Sequence, residues 1–209
     1  MNNRSSRKLL ALSLALIAAG AAGAARAESN FQTGSGALTA TARVDFQITI
    51  PKILFLQVGT GTLFTNVATI NLIDFTVPAA SIGNATPVTA SAASGDLGNG
   101  VVTAMVRGNN GNITLNATTP GAISNGSGDS INWTEITTTA AANTTGTVLA
   151  APTLVNGASA TVTLTAVGKV VNQDAKWTYK YANSAVVPPG TYGGVGVNNG
   201  RVTYTASLP

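Results

Sequence analysis

Residues 38–50 read Leu-Thr-Ala-Thr-Ala-Arg-Val-Asp-Phe-Gln-Ile-Thr-Ile. Leu38, Ala40, Ala42, Val44, Phe46, Ile48 and Ile50 fall on one face of an extended chain, and Thr39, Thr41, Arg43, Asp45, Gln47 and Thr49 on the other. Successive side chains of a strand point to opposite sides, so this strict alternation predicts a long, half-buried β-strand. Pro51 has no N–H to give to a ladder and interrupts it. Ile53 to Val58 follows, apolar on both faces, before Gly59-Thr60-Gly61 turns the chain.

Outward from this stretch, further strands recur at short intervals. Ile70 to Val77 reads as one, closed by Pro78. Val101 to Arg107 and Asn112 to Ala117 flank Gly108-Asn109-Asn110-Gly111, whose Asn and Gly residues tolerate positive φ and predict a hairpin. Ile131 to Thr137, Ala160 to Val167, Lys176 to Tyr181 and Arg201 to Ala206 complete the set. The connections 79–100 and 118–130 are rich in Gly, Ala, Ser and Asn and read as long surface loops. No segment past residue 27 has a helical period, and no repeat of solenoid length is present. The expected fold is all-β: one immunoglobulin-like antiparallel β-sandwich over residues 28–209, preceded by a signal-peptide helix over 1–27.

The signal segment has three parts. Arg4, Arg7 and Lys8 form a basic start, Leu9 to Ala22 an apolar stretch, and Ala25-Arg26-Ala27 a small-residue cleavage site before Glu28. The apolar stretch is shorter than the roughly 20 residues of a spanning helix, so removal is expected, leaving no membrane span. Four of the eleven Lys and Arg residues precede residue 28, while all seven Asp and Glu follow it. The chain from Glu28 onward is therefore near neutral, with no basic patch to engage phosphates, and nucleic acid is set aside as a partner. A protein secreted, or held at the cell surface after passing the periplasm, is the expected localisation. Without cysteine it would depend on packing and strand pairing, not on disulfides or a lipid anchor.

Catalytic chemistry has little to work with. The chain has no His and no Cys, which removes the usual general base, thiol nucleophile and transition-metal ligands. The acids sit beside turns or on polar strand faces, and Asp96 and Asp129, each in a glycine-rich turn, supply one carboxylate apiece where calcium takes several. No enzyme activity, metal or cofactor is expected. Trp133, Trp177, Tyr179 and Tyr181 are the candidates for a ligand surface, such as one for surface glycans. The last three share one face of a strand, where large rings more commonly pack into a core.

The two ends of the chain carry a resemblance. The alternating strand from Leu38 to Asp45, the turn Pro189-Gly190-Thr191-Tyr192-Gly193-Gly194 and the closing Val202-Thr203-Tyr204-Thr205-Ala206-Ser207 resemble the cysteine-free pilins of the colonisation-factor type, assembled by a chaperone and usher. The resemblance implies a sandwich that lacks one strand and is completed by the N-terminal segment of a neighbouring copy. Leu38, Ala40, Ala42, Val44, Phe46 and Ile48 would be the donor residues, with Ile50 at the end of the row. It implies copies of the chain and a periplasmic chaperone as partners. Two readings of residues 38–50 stand at this point: a donor strand, or the ordinary first strand of a self-sufficient domain. The function expected is that of a structural, pilin-like surface protein, the alternative being a secreted carbohydrate- or surface-binding module.

Overall fold

The computed structural model describes residues 28–209; the expected signal segment, including Ala27 at the cleavage site, lies outside them. The chain divides into two units between Ile50 and Pro51, each described by itself.

In the first unit the long half-buried strand expected over 38–50 is not formed. No residue from 28 to 50 belongs to a sheet, and every one is exposed. Alternation dictates which side chains share a face, but a ladder also needs a neighbouring strand, which the pattern does not supply. Besides a local bond from Gln32 Nε2 to Asn30 Oδ1 (2.9 Å), the tie among its described residues is ionic. The Glu28 carboxylate accepts from the Arg43 backbone N–H (3.1 Å), Nε (2.8 Å) and Nη2 (2.8 Å). The Arg43 guanidinium holds the Glu28 carboxyl below its ordinary value.

The second unit is built around two strands, β3 (Val101–Gly108) and β9 (Val171–Tyr181), paired antiparallel from Val101↔Thr178 to Gly108↔Val171. On β3, Val102, Ala104 and Val106 are buried and alternate with half-buried Val101, Thr103, Met105 and Arg107, the period of a sheet with one face on the core. β1 (Leu54–Val58) pairs with the outer side of β3. On the far side of β9 lies β7 (Ile136–Ala141), and short β2 (Val88–Thr89) extends the β3 side beyond residue 178. The second sheet has β4 (Ile113–Thr118) at its centre, flanked by β8 (Val162–Leu164) and β10 (Thr203–Ser207). Between β4 and β7 a small hairpin joins β5 (Ile123–Ser124) to β6 (Ser130–Ile131). Every strand pair is antiparallel, and the only helical pieces among the described residues are 3₁₀ turns at Ala79–Ser81 and Trp133–Glu135. One apolar cluster draws Val102, Val106, Ala175 and Trp177 from the first sheet and Ile113, Leu115 and Leu164 from the second. The fold is all-β with two facing antiparallel sheets over a shared core, consistent with a β-sandwich.

Local departures from the expected strands have local causes. Trp133 begins a 3₁₀ turn and not a strand, because its backbone N–H donates to Asn156 Oδ1 (3.0 Å) and its indole N–H to the Gly121 carbonyl (2.9 Å). Residues 71–77 keep a strand's alternation of burial but join no ladder; Ser91 N–H donates to the Asp74 carbonyl and Gly95 N–H to that of Leu72. The loop 79–100 contains β2.

One polar group is buried in the outer layer of the first sheet. Asp174, on β9, is 1% exposed beneath residues 143–147. Its carboxylate accepts from Asn143 Nδ2 (3.1 Å), Thr144 N–H (3.1 Å), Thr144 Oγ1, Thr145 N–H (2.9 Å) and Thr145 Oγ1 (2.7 Å). Burial works to raise its pKa, but the hydrogen bonds from Thr144 and Thr145 outweigh it and hold the carboxyl at about 2. Because the folded value lies below the ordinary 3.8, this group's contribution to stability is complete above that value and is lost as the pH falls through about 2. Asp174→Asn presents a donor where two hydroxyls, two backbone amides and the Asn143 side-chain amide now point, and a loss of roughly 2 kcal/mol is expected at neutral pH. Denaturant unfolding across pH 2–7 checks this: the gap between wild type and variant should close on the acid side, and a pH-independent gap would contradict it.

Candidate interaction site

Two surfaces stand out once the core is accounted for. The first is the segment 38–50 itself. Val44, Phe46, Ile48 and Ile50 are between 76% and 90% exposed, Leu38 is 52% exposed, and Ala40 and Ala42 are exposed as well. Scattered exposed apolar residues are ordinary, but a regular apolar row along one side of an extended segment is not. Burying Val44, Phe46, Ile48 and Ile50 would contribute roughly 6–12 kcal/mol before the cost of ordering the segment.

The second surface is an open sheet edge in residues 51–209. β10 pairs with β4 on one side only, and β1 with β3 on one side only. These two edge strands belong to different sheets and approach each other along one flank. An antiparallel edge leaves the N–H and C=O of every second residue directed away from its partner. Beneath the flank the core is incompletely covered. Leu56 and Val58 of β1, with Val202, Tyr204, Ala206 and Leu208 in and beside β10, pack against the buried cluster and remain half-buried. Tyr204 anchors the edge: its ring lies 5.3 Å from that of Trp177 and its hydroxyl 2.8 Å from that of Tyr179. Burial pushes Tyr204 up to about 12 and Tyr179 well above the ordinary phenol value, so both stay neutral and keep this bond in the working pH range.

The approach to β10 is fixed by the glycine-rich turn. Gly193 N–H donates to the Ser124 carbonyl and Ser124 N–H to that of Asn198, tying the turn to the β5–β6 hairpin. A Cβ on Gly200 would stand 2.4 Å from the Gly194 nitrogen, so the chain can double back here only without one.

The four aromatic candidates are placed inside. Trp177 is 0% exposed and Trp133, Tyr179 and Tyr181 are each 6% exposed. The Trp177 indole N–H donates to the Leu149 carbonyl at 2.8 Å. Trp177, Tyr179 and Tyr181 face inward because β9 alternates them with Lys176, Thr178 and Lys180, Trp133 is buried from its 3₁₀ turn, and none of the four offers a platform to a ligand. Glu28, the residue after the expected cleavage point, is engaged by Arg43. Two hollows lie on the surface. One of about 230 Å³ is walled by Thr134, Ile136, Thr137, Thr138 and residues 151–154. The other, of about 430 Å³, is bounded by Lys52, Ile53, Leu54, Phe55, Phe64 and Asn66. Neither gathers more than one ionisable side chain, so neither offers an acid–base pair. Among the described residues no helix is long and apolar enough to cross a membrane.

The Asp174 latch and the open β1–β10 flank leave little mark in the sequence. The run Asn143-Thr144-Thr145 is its only trace of the latch, in a chain full of Asn and Thr. No family model matches the chain, and no curated protein or solved structure matches it.

Proposed function

We propose that this chain is a structural, pilin-like subunit, exported through the periplasm to the cell surface, whose activity is binding to its own copies. Residues 38–50 of one copy add as a strand to the β1–β10 flank of another. The observation that carries this is a pairing of deficits: an apolar row with nothing covering it, and a half-covered core beside an unpaired edge. Strand addition satisfies both, with backbone hydrogen bonds for strength and alternate side chains for register.

The strand order supports the finer reading of the fold. β1, β3, β9 and β7 follow the order A-B-E-D of an immunoglobulin-like sheet, and β4 and β10 stand as C and F. Among the described residues no strand pairs with the free side of β10, the place that G takes beside F. A periplasmic chaperone would shield the edge until a donor arrives. No catalysis, metal or cofactor enters the proposal. Binding of surface glycans through Trp133, Trp177, Tyr179 and Tyr181 loses its support with their burial.

The test is self-association of the purified exported chain, followed by light scattering and electron microscopy. Concentration-dependent linear polymers are expected; a monomer that persists at high concentration overturns the proposal.

A further inference from the structure

Apart from Asp174, buried within the β3–β9 ladder, the acids and bases of residues 51–209 are divided unevenly between the two ends of the strands. At the end where β1 and β4 begin lie three cations. Lys52 precedes β1 and donates to the Pro209 carbonyl; Arg107 sits opposite Phe55; the Lys169 carbonyl accepts from Gly111 N–H in the adjoining hairpin. The nearest acid on β9 is Asp174, diagonal to Arg107, whose carboxylate is buried and bound by residues 143–145. At the other end, where β3 and β10 begin, four acids gather. Asp96 accepts from Thr103 N–H (2.9 Å), Asp129 from Asn125 Nδ2 (2.8 Å), and Glu135 from Ser184 N–H (3.0 Å); the Asp74 backbone is bound by Ser91. Lys176 (opposite Thr103), Lys180 and Arg201 are the cations on that side, one fewer than the acids. Arg43–Glu28, in the first unit, is the one salt bridge among the described residues, so none of these charges is neutralised by a partner of this kind.

We infer that the basic end of one copy docks on the acidic end of the next, a head-to-tail contact that sets the polarity of the polymer. The inference rests on the strand-addition reading. β10 runs from the acidic end to the basic end, as its register with β4 requires. A donor strand antiparallel to β10, like every other pair in the protein, therefore runs the opposite way and leaves its host at the acidic end. Residues 38–50 extend about 43 Å, against about 37 Å for the eleven residues of β9, so the donor spans the host from end to end. Pro51 and Lys52 follow Ile50 at once, which delivers the basic end of the donor copy to the acidic end of its host. A heterologous contact between unlike patches leaves each copy with one unused patch of each kind, so that it repeats head to tail, as a filament requires.

The contact is tested in the full exported chain with two variants that reverse charge at opposite ends, K52E/K169E and D74K/D129K. At low salt each alone should elongate about tenfold more slowly than wild type, the scale of electrostatic steering. An equimolar mixture should regain most of the wild-type rate, because every contact then pairs unlike charges. D74K alone, whose exposed carboxylate caps nothing, should show part of the effect if D129K disturbs its turn. Wild-type elongation should itself slow in 0.5 M salt, where the Debye length is only about 4 Å. Variants that elongate at the wild-type rate, or a mixture no faster than its parts, overturn the inference. A synthetic peptide of residues 38–50 separates the two claims: it should bind wild type and both variants alike. Failure of the peptide to bind wild type sinks the strand-addition reading, and the end-to-end contact with it.

Discussion

Phe46→Asp combined with Ile48→Asp should abolish polymerisation while leaving the thermal unfolding of residues 51–209 unchanged. Both side chains are among the most exposed of the apolar row, at 90% and 85%, so their replacement removes nothing the isolated chain depends on. In the assembled state each would place an unpaired carboxylate in the half-covered core beneath β1 and β10, at a cost of several kcal/mol per charge. Added to the lost burial of two large side chains, about 3–6 kcal/mol, the change should weaken association by several orders of magnitude. Thr49→Asp, on the other face of the segment, is the control and should assemble. Light scattering reads the loss and calorimetry the unchanged midpoint. If the double variant assembled as wild type does, the apolar row would have no part in the contact.

Trp177→Ala has the opposite signature. Trp177 is fully buried, packs against Tyr204 and gives its indole N–H to Leu149, so one side chain links β9, the 143–149 segment and the last strand. Truncation should cost about 3–5 kcal/mol, the range for large aromatic side chains in cores, and leaves the Leu149 carbonyl unpaired. Against the 5–15 kcal/mol typical of a domain, this brings the unit close to unfolding at ordinary temperature. Urea unfolding measures it. A shift below about 1 kcal/mol would mean the core is not organised around this ring.

The two variants also show which parts of the protein could be read from the sequence. Core strands could, because their periodicity is a local property. Lys176–Tyr181 alternates in the sequence and in burial on β9, while Val101–Arg107 is marked as a strand by its β-branched residues and the Asn-Gly turn after it, and alternates in burial alone. β9 begins at Val171, five residues before its alternation does, because Val171 to Ala175 includes Asp174, a polar residue buried under a loop. Residues 38–50 have the strongest pattern in the chain and no sheet of their own. Periodicity reports what a segment is suited to bind, not whether its partner lies in the same molecule. The open flank was illegible for a related reason: which strand is an edge depends on pairings between residues far apart, such as Thr203 with Thr118.

The central claim is that residues 38–50 exchange water for a neighbour's sheet edge. Amide hydrogen exchange of the full chain, before and after assembly, addresses it most directly. The amides of 44–50 should exchange freely in the monomer and become strongly protected in the polymer, together with those of β10. Amides of 44–50 that exchange as fast in the polymer as in the monomer would contradict the account.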